Sequence, residues 1–234
     1  MKPDIETLII YEDPQIIVCH KPAGIPVQSA RISAVDMVSL LKNHLSSASR
    51  TSNGSKSPYL AVIHRLDQPV EGLLVFAKTP AAAKNLNHQL TSSGFGKYYR
   101  AVVTGVPNPP EGTLEDYIVK DGRSNTSRIC TKETPGAKLA RLHYRLEESC
   151  KDTNPVTSLI KIKLDTGRHH QIRVQMAHLG CPLAGDRKYN PDQYKAGLRE
   201  YSGADHLKLC AYRLKFRHPK SGNEMVFELP AVLN

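Results

Sequence analysis

A lone carboxylate and a cluster of basic residues hold the chemistry this chain could perform. The carboxylate lies in HRLDQPVEGLLVFAKT, His64 to Thr79, where Arg65 and Asp67 precede an apolar run. Asp67 has two readings. Before Gln-Pro it is an ordinary turn residue, because its side chain bonds nearby backbone N–H groups. At the entry to a buried strand it is also a charge placed to act on a substrate. The basic cluster lies in TGRHHQIRVQMAHLG, Thr166 to Gly180. There a Thr-Gly turn delivers Arg168, His170, Gln171 and Arg173 to the start of a helix. Such a start is either an anion site or a solvated basic end. His169 and His170 suggest a metal, but adjacent helical positions point in different directions. No Cys or carboxylate stands at ligand spacing beside them, so no metal site is expected.

Both groups need elements to position them. TLIIYEDPQIIVCHKPAG reads as a hairpin with an Asp-Pro turn, broken by Lys21-Pro22-Ala23-Gly24. SAVDMVSLLKNHL has helical spacing, with Ser33 as the expected N-cap. Residues 46–58 are polar and rich in Ser, and read as a mobile loop. YLAVI and GLLVFAK read as buried strands on either side of Asp67. Thr79 and Pro80 open a helix that stops near Gly94. KYYRAVVTG is a strand, and PNPPEGTLEDY a turn-rich connection. KLARLHYRLEE and VTSLIKIKLDTG alternate at period two. The helix after Thr166-Gly167 ends at Gly180, and the tail from Leu207 forms a final hairpin. Strands outnumber helices and hairpins dominate, so the expected class is α+β with a mainly antiparallel sheet.

Composition narrows the partners. The 234 residues hold 32 Lys and Arg against 22 Asp and Glu, a net charge of +10. That excess points to a polyanion, nucleic acid before anionic membrane. No run of 18 apolar residues occurs, and the start has no signal-peptide core, so no membrane segment is expected. Five scattered cysteines without a C-x-x-C pair fit a reducing cytoplasm.

At these residues the chain resembles the RluA-type family of RNA pseudouridine synthases. That family carries H-R-L-D-x-x-T-S-G-L-L, matched by His64 to Leu74. Its K-x-Y is Lys97-Tyr98-Tyr99 here, and its T-G-R-x-H-Q-I-R is Thr166 to Arg173. Its G-x-P-x-x-G-D-x-x-Y is Gly180 to Tyr189, and Lys21 to Gly24 looks like its K-P-x-G turn. Motifs in this order, over about residues 9 to 230, go well beyond a single pattern match. The departures are Val70-Glu71 for Thr-Ser, and Leu209-Cys210-Ala211 for Leu-His-Ala.

The resemblance implies a pseudouridine synthase fold in one domain, with flanking helices and a central active-site cleft. It implies no cofactor, no appended RNA-binding domain, and a monomer acting on ribosomal or transfer RNA in the cytoplasm. It makes Asp67 the catalytic carboxylate, either adding to the sugar or promoting loss of a sugar proton. Arg173 becomes its cationic neighbour, and Tyr99 stacks on the base. Arg65 fills the space a flipped uridine leaves. His64, Lys97, Arg168, His170 and Gln171 are expected to contact substrate. Two rival readings are a non-catalytic RNA-binding protein on the same fold and a single-carboxylate nucleoside hydrolase.

Overall fold

A computed structural model of the chain describes residues 4–30, 35–48, 57–92, 94–190 and 206–230. The chain divides into two compact units, 1–96 with 211–230 and 97–210 with 231–234.

The first unit opens with a single helical turn, α1 (Ile5–Leu8), capped by Asp4 through the Glu6 amide at 3.1 Å. The expected hairpin follows as β1 (Ile9–Glu12) and β2 (Ile16–Lys21). Asp13 makes its turn, because one carboxylate oxygen accepts from the Gln15 and Ile16 amides at 2.7 and 2.8 Å. Strand β2 is almost wholly buried and pairs antiparallel with β4 (Glu71–Ala77), Lys21 lying opposite Gly72. The remaining strands are β3 (Ala61–Val62), β10 (Leu209–Arg217) and β11 (Glu224–Glu228). Their order is β1-β2-β4-β10, with β3 beside β4 and β11 beside β10. Ile16, Val18, Leu73, Val75, Leu86, Phe95, Leu214 and Phe216 fill one core.

Two helices complete this unit, α2 (Met37–Ala48) and α3 (Pro80–Thr91). Thr79 caps α3 as expected, its hydroxyl accepting from the Ala82 amide at 3.1 Å. The start of α2 differs from expectation. Buried Asp36 precedes the helix and accepts from the Ser39 amide at 2.7 Å and the Ser29 amide at 2.6 Å. Its carboxylate thus ties the helix start to the preceding loop. Ser33 and residues 49–56 of the expected loop lie outside the described residues, and α2 extends through residue 48.

The second unit is a meander with one long excursion. Its strands are β5 (Gly96–Thr104), β6 (Glu111–Asp121), β7 (Thr126–Cys130), β8 (Lys138–Cys150) and β9 (Thr157–Leu164). The order is β5-β9-β8-β6-β7, each pair antiparallel. Most of the segment read as a turn-rich connection, from Glu111 to Tyr117, is therefore strand, since β6 begins at Glu111. β5 alternates strictly between buried and half-buried residues, which aims Lys97 and Tyr99 at the same covered face. Helix α4 (Gln171–His178) packs against that sheet with its first six residues all buried. No described helix is long and apolar enough to cross a membrane.

Candidate active site

Asp67 sits in a short turn between β3 and β4, half-buried, its carbonyl accepting from the Val70 amide at 3.0 Å. The turn reading is therefore correct for its backbone. What holds this turn is Lys21, at the end of β2 and fully buried. Its ammonium donates to three carbonyls: Ile25 at 2.7 Å, Pro22 at 3.0 Å and Gln68 at 3.0 Å. The Gly24 amide shares the Gln68 carbonyl at 2.9 Å, and the Gln68 side chain returns a bond to the Gly24 carbonyl at 2.9 Å. Thus the K-P-x-G turn and the Asp67 loop are stitched together across 47 residues of sequence. Burial pushes the Lys21 pKa down to about 8, against the opposing pull of Asp67, Glu71 and Cys19.

Gly72 fixes where the loop rejoins the sheet. Its φ is +134°, and a Cβ there would lie 2.5 Å from the Ala211 backbone nitrogen. Only glycine allows both that conformation and that approach. Of the neighbouring expected site residues, Arg65 is exposed and has no hydrogen-bond or ion-pair partner among the described residues. His64 instead faces inward. Its Nε2 accepts from the Val75 amide at 3.4 Å, and its ring meets Phe95 edge-on at 5.5 Å.

In the second unit, α4 carries polar side chains into a covered position, so each must find a partner. Arg173 is 5% exposed and forks onto Asp186, Nε to Oδ2 at 2.7 Å and Nη2 to Oδ1 at 2.8 Å. Asp186 is fully buried and also accepts from the Lys188 and Tyr189 amides at 2.9 and 3.2 Å. The guanidinium lies over the Tyr189 ring, 5.1 Å from its centroid. The fork uses two of the five N–H donors of Arg173.

Tyr189 also meets His170. Its hydroxyl accepts from the Ser127 amide at 2.7 Å and lies 2.8 Å from His170 Nδ1. That contact ties the ring of His170 to Tyr189, whichever of the two groups donates. Burial drives its pKa down to about 3, helped by Arg173, His169, Lys188 and Lys120. His170 adopts a left-handed conformation, φ +53°, just before the helix. For that reason the two histidines do not point apart as helical neighbours would. Their rings stack at 3.7 Å.

Gln171 turns out to be a clamp. Its Oε1 accepts from the Thr166 hydroxyl at 2.8 Å and the Arg168 amide at 2.9 Å, and its Nε2 donates to the Arg141 carbonyl at 3.1 Å. Arg168 is exposed, its Nε donating to the Leu139 carbonyl at 2.7 Å. The Thr-Gly turn passes over Lys97, for a Cβ at Gly167 would sit 3.4 Å from its Nζ. Burial lowers the Lys97 pKa to about 8, with Asp165 opposing and Arg168 adding to the shift. Tyr99, two residues on, is buried on the same face.

Asp67, Arg65 and His64 thus belong to the first unit, and Lys97, Tyr99, Arg168, His170, Gln171 and Arg173 to the second. Three residues with a direct bearing on these groups were absent from the expected set: Lys21, Asp186 and Tyr189. All three stand in the stretches Lys21 to Gly24 and Gly180 to Tyr189, so the signal was present. What was missing was the pairing, which no spacing announces. Among the described residues no group of three His, Cys, Asp or Glu is placed to hold a metal.

Comparison with known proteins agrees with the motifs. Residues 15–178 match the RNA pseudouridylate synthase family model. A ribosomal large subunit pseudouridine synthase D from Neisseria meningitidis is 36% identical over 226 residues, 95% of this chain. The chain spans 57% of that relative's length. A dual-specificity RNA pseudouridine synthase RluA from Salmonella typhimurium is 34% identical over 224 residues, covering 96% of this chain and 93% of its own. Among solved structures, human RNA pseudouridylate synthase domain containing 4 superposes with a TM-score of 0.72 over 96% of this chain and 88% of its own. At 23% identity that likeness speaks for the fold.

Proposed function

The chain belongs to the RNA pseudouridylate synthase family, and from that premise we propose that it isomerises uridine in RNA to pseudouridine. The observation that carries this reading is the placement of Asp67. Its loop is locked from both sides, by Lys21 on the Gln68 carbonyl and by Gly72 against Ala211, while the carboxylate itself stays half-buried. Such a carboxylate is held in place yet within reach of a substrate. The family match runs through residues of both units, which supports one catalytic domain built from the two.

The chemistry follows from the reaction. Uracil leaves C1′ through N1, turns, and rejoins C1′ through C5, which then gives up its hydrogen as a proton. Positive character develops at C1′ as the first bond breaks, and a carboxylate stabilises it as in glycoside cleavage. Addition of Asp67 to C1′ and removal of a sugar proton by Asp67 both use the same placement. The base must leave its stack to be reached, and Arg65, exposed beside the carboxylate, is suited to fill the gap. Tyr99 offers a ring for the base and a hydroxyl to assist loss of the C5 proton. Arg173, oriented by Asp186, supplies fixed positive charge. Arg168 and the +10 net charge suit an RNA backbone. We place the protein in the cytoplasm as a monomer acting on ribosomal or transfer RNA, a location consistent with five free thiols.

The test is release of tritium to water from transcripts labelled at uridine C5, with chelator present and no added cofactor. The wild-type protein releases label and Asp67→Asn does not. Folded protein that releases none from ribosomal RNA, transfer RNA or pre-ribosomal particles is an RNA binder and not a synthase.

A further inference from the structure

The ammonium of Lys21 has three N–H donors and no acceptor. All three are matched by carbonyls, those of Pro22, Ile25 and Gln68. Nothing remains to donate to Asp67, so Lys21 acts on that residue through the loop it grips and through its field. A fully buried charge is tolerated only where dipoles and opposite charge replace water. Here three carbonyl dipoles do so, together with the two carboxylates of Asp67 and Glu71. Glu71 stands where the motif that this stretch resembles has a serine.

We propose that Lys21 is the positioning residue of Asp67, a clamp that grips the Gln68 carbonyl only as the ammonium, and that Glu71 keeps it in that form. The proposal rests on Asp67 being the reactive carboxylate. The mechanism is one of donor number. A neutral amine has two N–H groups and a lone pair, so one of the three carbonyls would lose its donor and face a second acceptor. The carbonyl reached from furthest in sequence is that of Gln68, next to Asp67, and it is also shared with the Gly24 amide. Loss of the proton therefore loosens the joint between the K-P-x-G turn and the Asp67 loop.

The charged and titratable groups that face Lys21 are Asp67, Glu71 and Cys19. His20 on the same strand also feels both Glu71 and Lys21. Burial holds the His20 pKa below its usual value, so it is uncharged through the alkaline range. Burial also pushes the Cys19 thiol up to about 12, which keeps it neutral there. The carboxylates are left as the groups that sustain the ammonium. Lys97, also near 8, answers to Asp165 and Arg168 and not to Glu71. A Glu71 variant therefore separates the two lysines.

The experiment has two arms. In the first, Lys21 Cε and the Gly24 amide are followed by NMR from pH 6 to 11 in wild type and Glu71→Gln, with Lys21→Met assigning the signal. The wild-type Lys21 midpoint lies near 8, the Gly24 amide shifts with that same midpoint, and Glu71→Gln lowers both by about half a unit or more. In the second, tritium release is measured over the same range. Its alkaline limb falls with the Lys21 midpoint and moves with it in Glu71→Gln, while activity at pH 6 to 7 is kept within about twofold. A Lys21 midpoint above 10, or a Gly24 amide indifferent to it, overturns the clamp. So does an alkaline limb that ignores Glu71→Gln. Wild-type protein that releases no tritium at any pH defeats the enzymatic reading instead, and the NMR arm still decides whether Lys21 is a clamp.

Discussion

The Asp67 loop and the start of α4 are held by opposite means. Asp67 is positioned largely through backbone: Lys21 grips carbonyls, Gly72 lies close against Ala211, and the Gln68 side chain adds a bond to the Gly24 carbonyl. Arg173, His170 and Gln171 are positioned by side chains that require particular partners, namely Asp186, Tyr189, Ser127 and Thr166. The difference explains how each tolerates change. Val70-Glu71 stands in place of Thr-Ser beside Asp67, and the three carbonyls that Lys21 grips belong to other residues, so the contacts of the clamp survive that exchange. Around Arg173 the family pattern is intact, because every member of a buried polar network must be satisfied.

Function and stability should accordingly separate in the first region and coincide in the second. Asp67→Asn, isosteric and outside the clamp, should cut tritium release by at least about a thousandfold and leave the melting temperature nearly unchanged. An Asn variant that melts as early as an Arg173 variant would break the comparison. Arg173→Ala should cost about 3–5 kcal/mol, because it strands a fully buried Asp186. Denaturant unfolding measures it, and Arg173→Ala with Asp186→Ala together should cost less than the sum of the single changes.

Gly72→Ala tests the geometric half of the first region. A Cβ 2.5 Å from the Ala211 nitrogen forces a backbone shift, at about 1–3 kcal/mol, and should lower activity further than that loss of stability explains. The smallest effect sharpens the second region. His170 has a folded-state pKa near 3 against an ordinary 6.5. Between these values the unfolded chain binds the extra proton, so stability falls as pH drops below about 6.5. His170→Asn should flatten that acid slope in thermal melts between pH 4 and 7, and an unchanged slope would remove His170 from the network. Tyr189→Phe, which removes the hydroxyl between Ser127 and His170, should cost about 1 kcal/mol.

Local signals were legible in the chain. The Asp13 turn, the Thr79 cap and the alternation of β8 and β9 depend on a few adjacent residues, and they stand where the pattern places them. The separated motifs identified the family for the same reason, since each is a short run of fixed spacing. Caps and strand starts were less secure where a distant group intervened. Asp36 holds the start of α2 because the Ser29 amide also needs its carboxylate, and β6 begins early because β8 pairs with Glu111 and Gly112. What the sequence by itself determined was therefore the residue types, their order and the local conformation each prefers. Only the tertiary structure decided which buried polar groups meet: Lys21 with a carbonyl 47 residues away, Arg173 with Asp186, and His170 with the Tyr189 hydroxyl. The physical reason is that burial makes an unmatched polar group costly, and the partner that satisfies it is chosen by proximity in the fold.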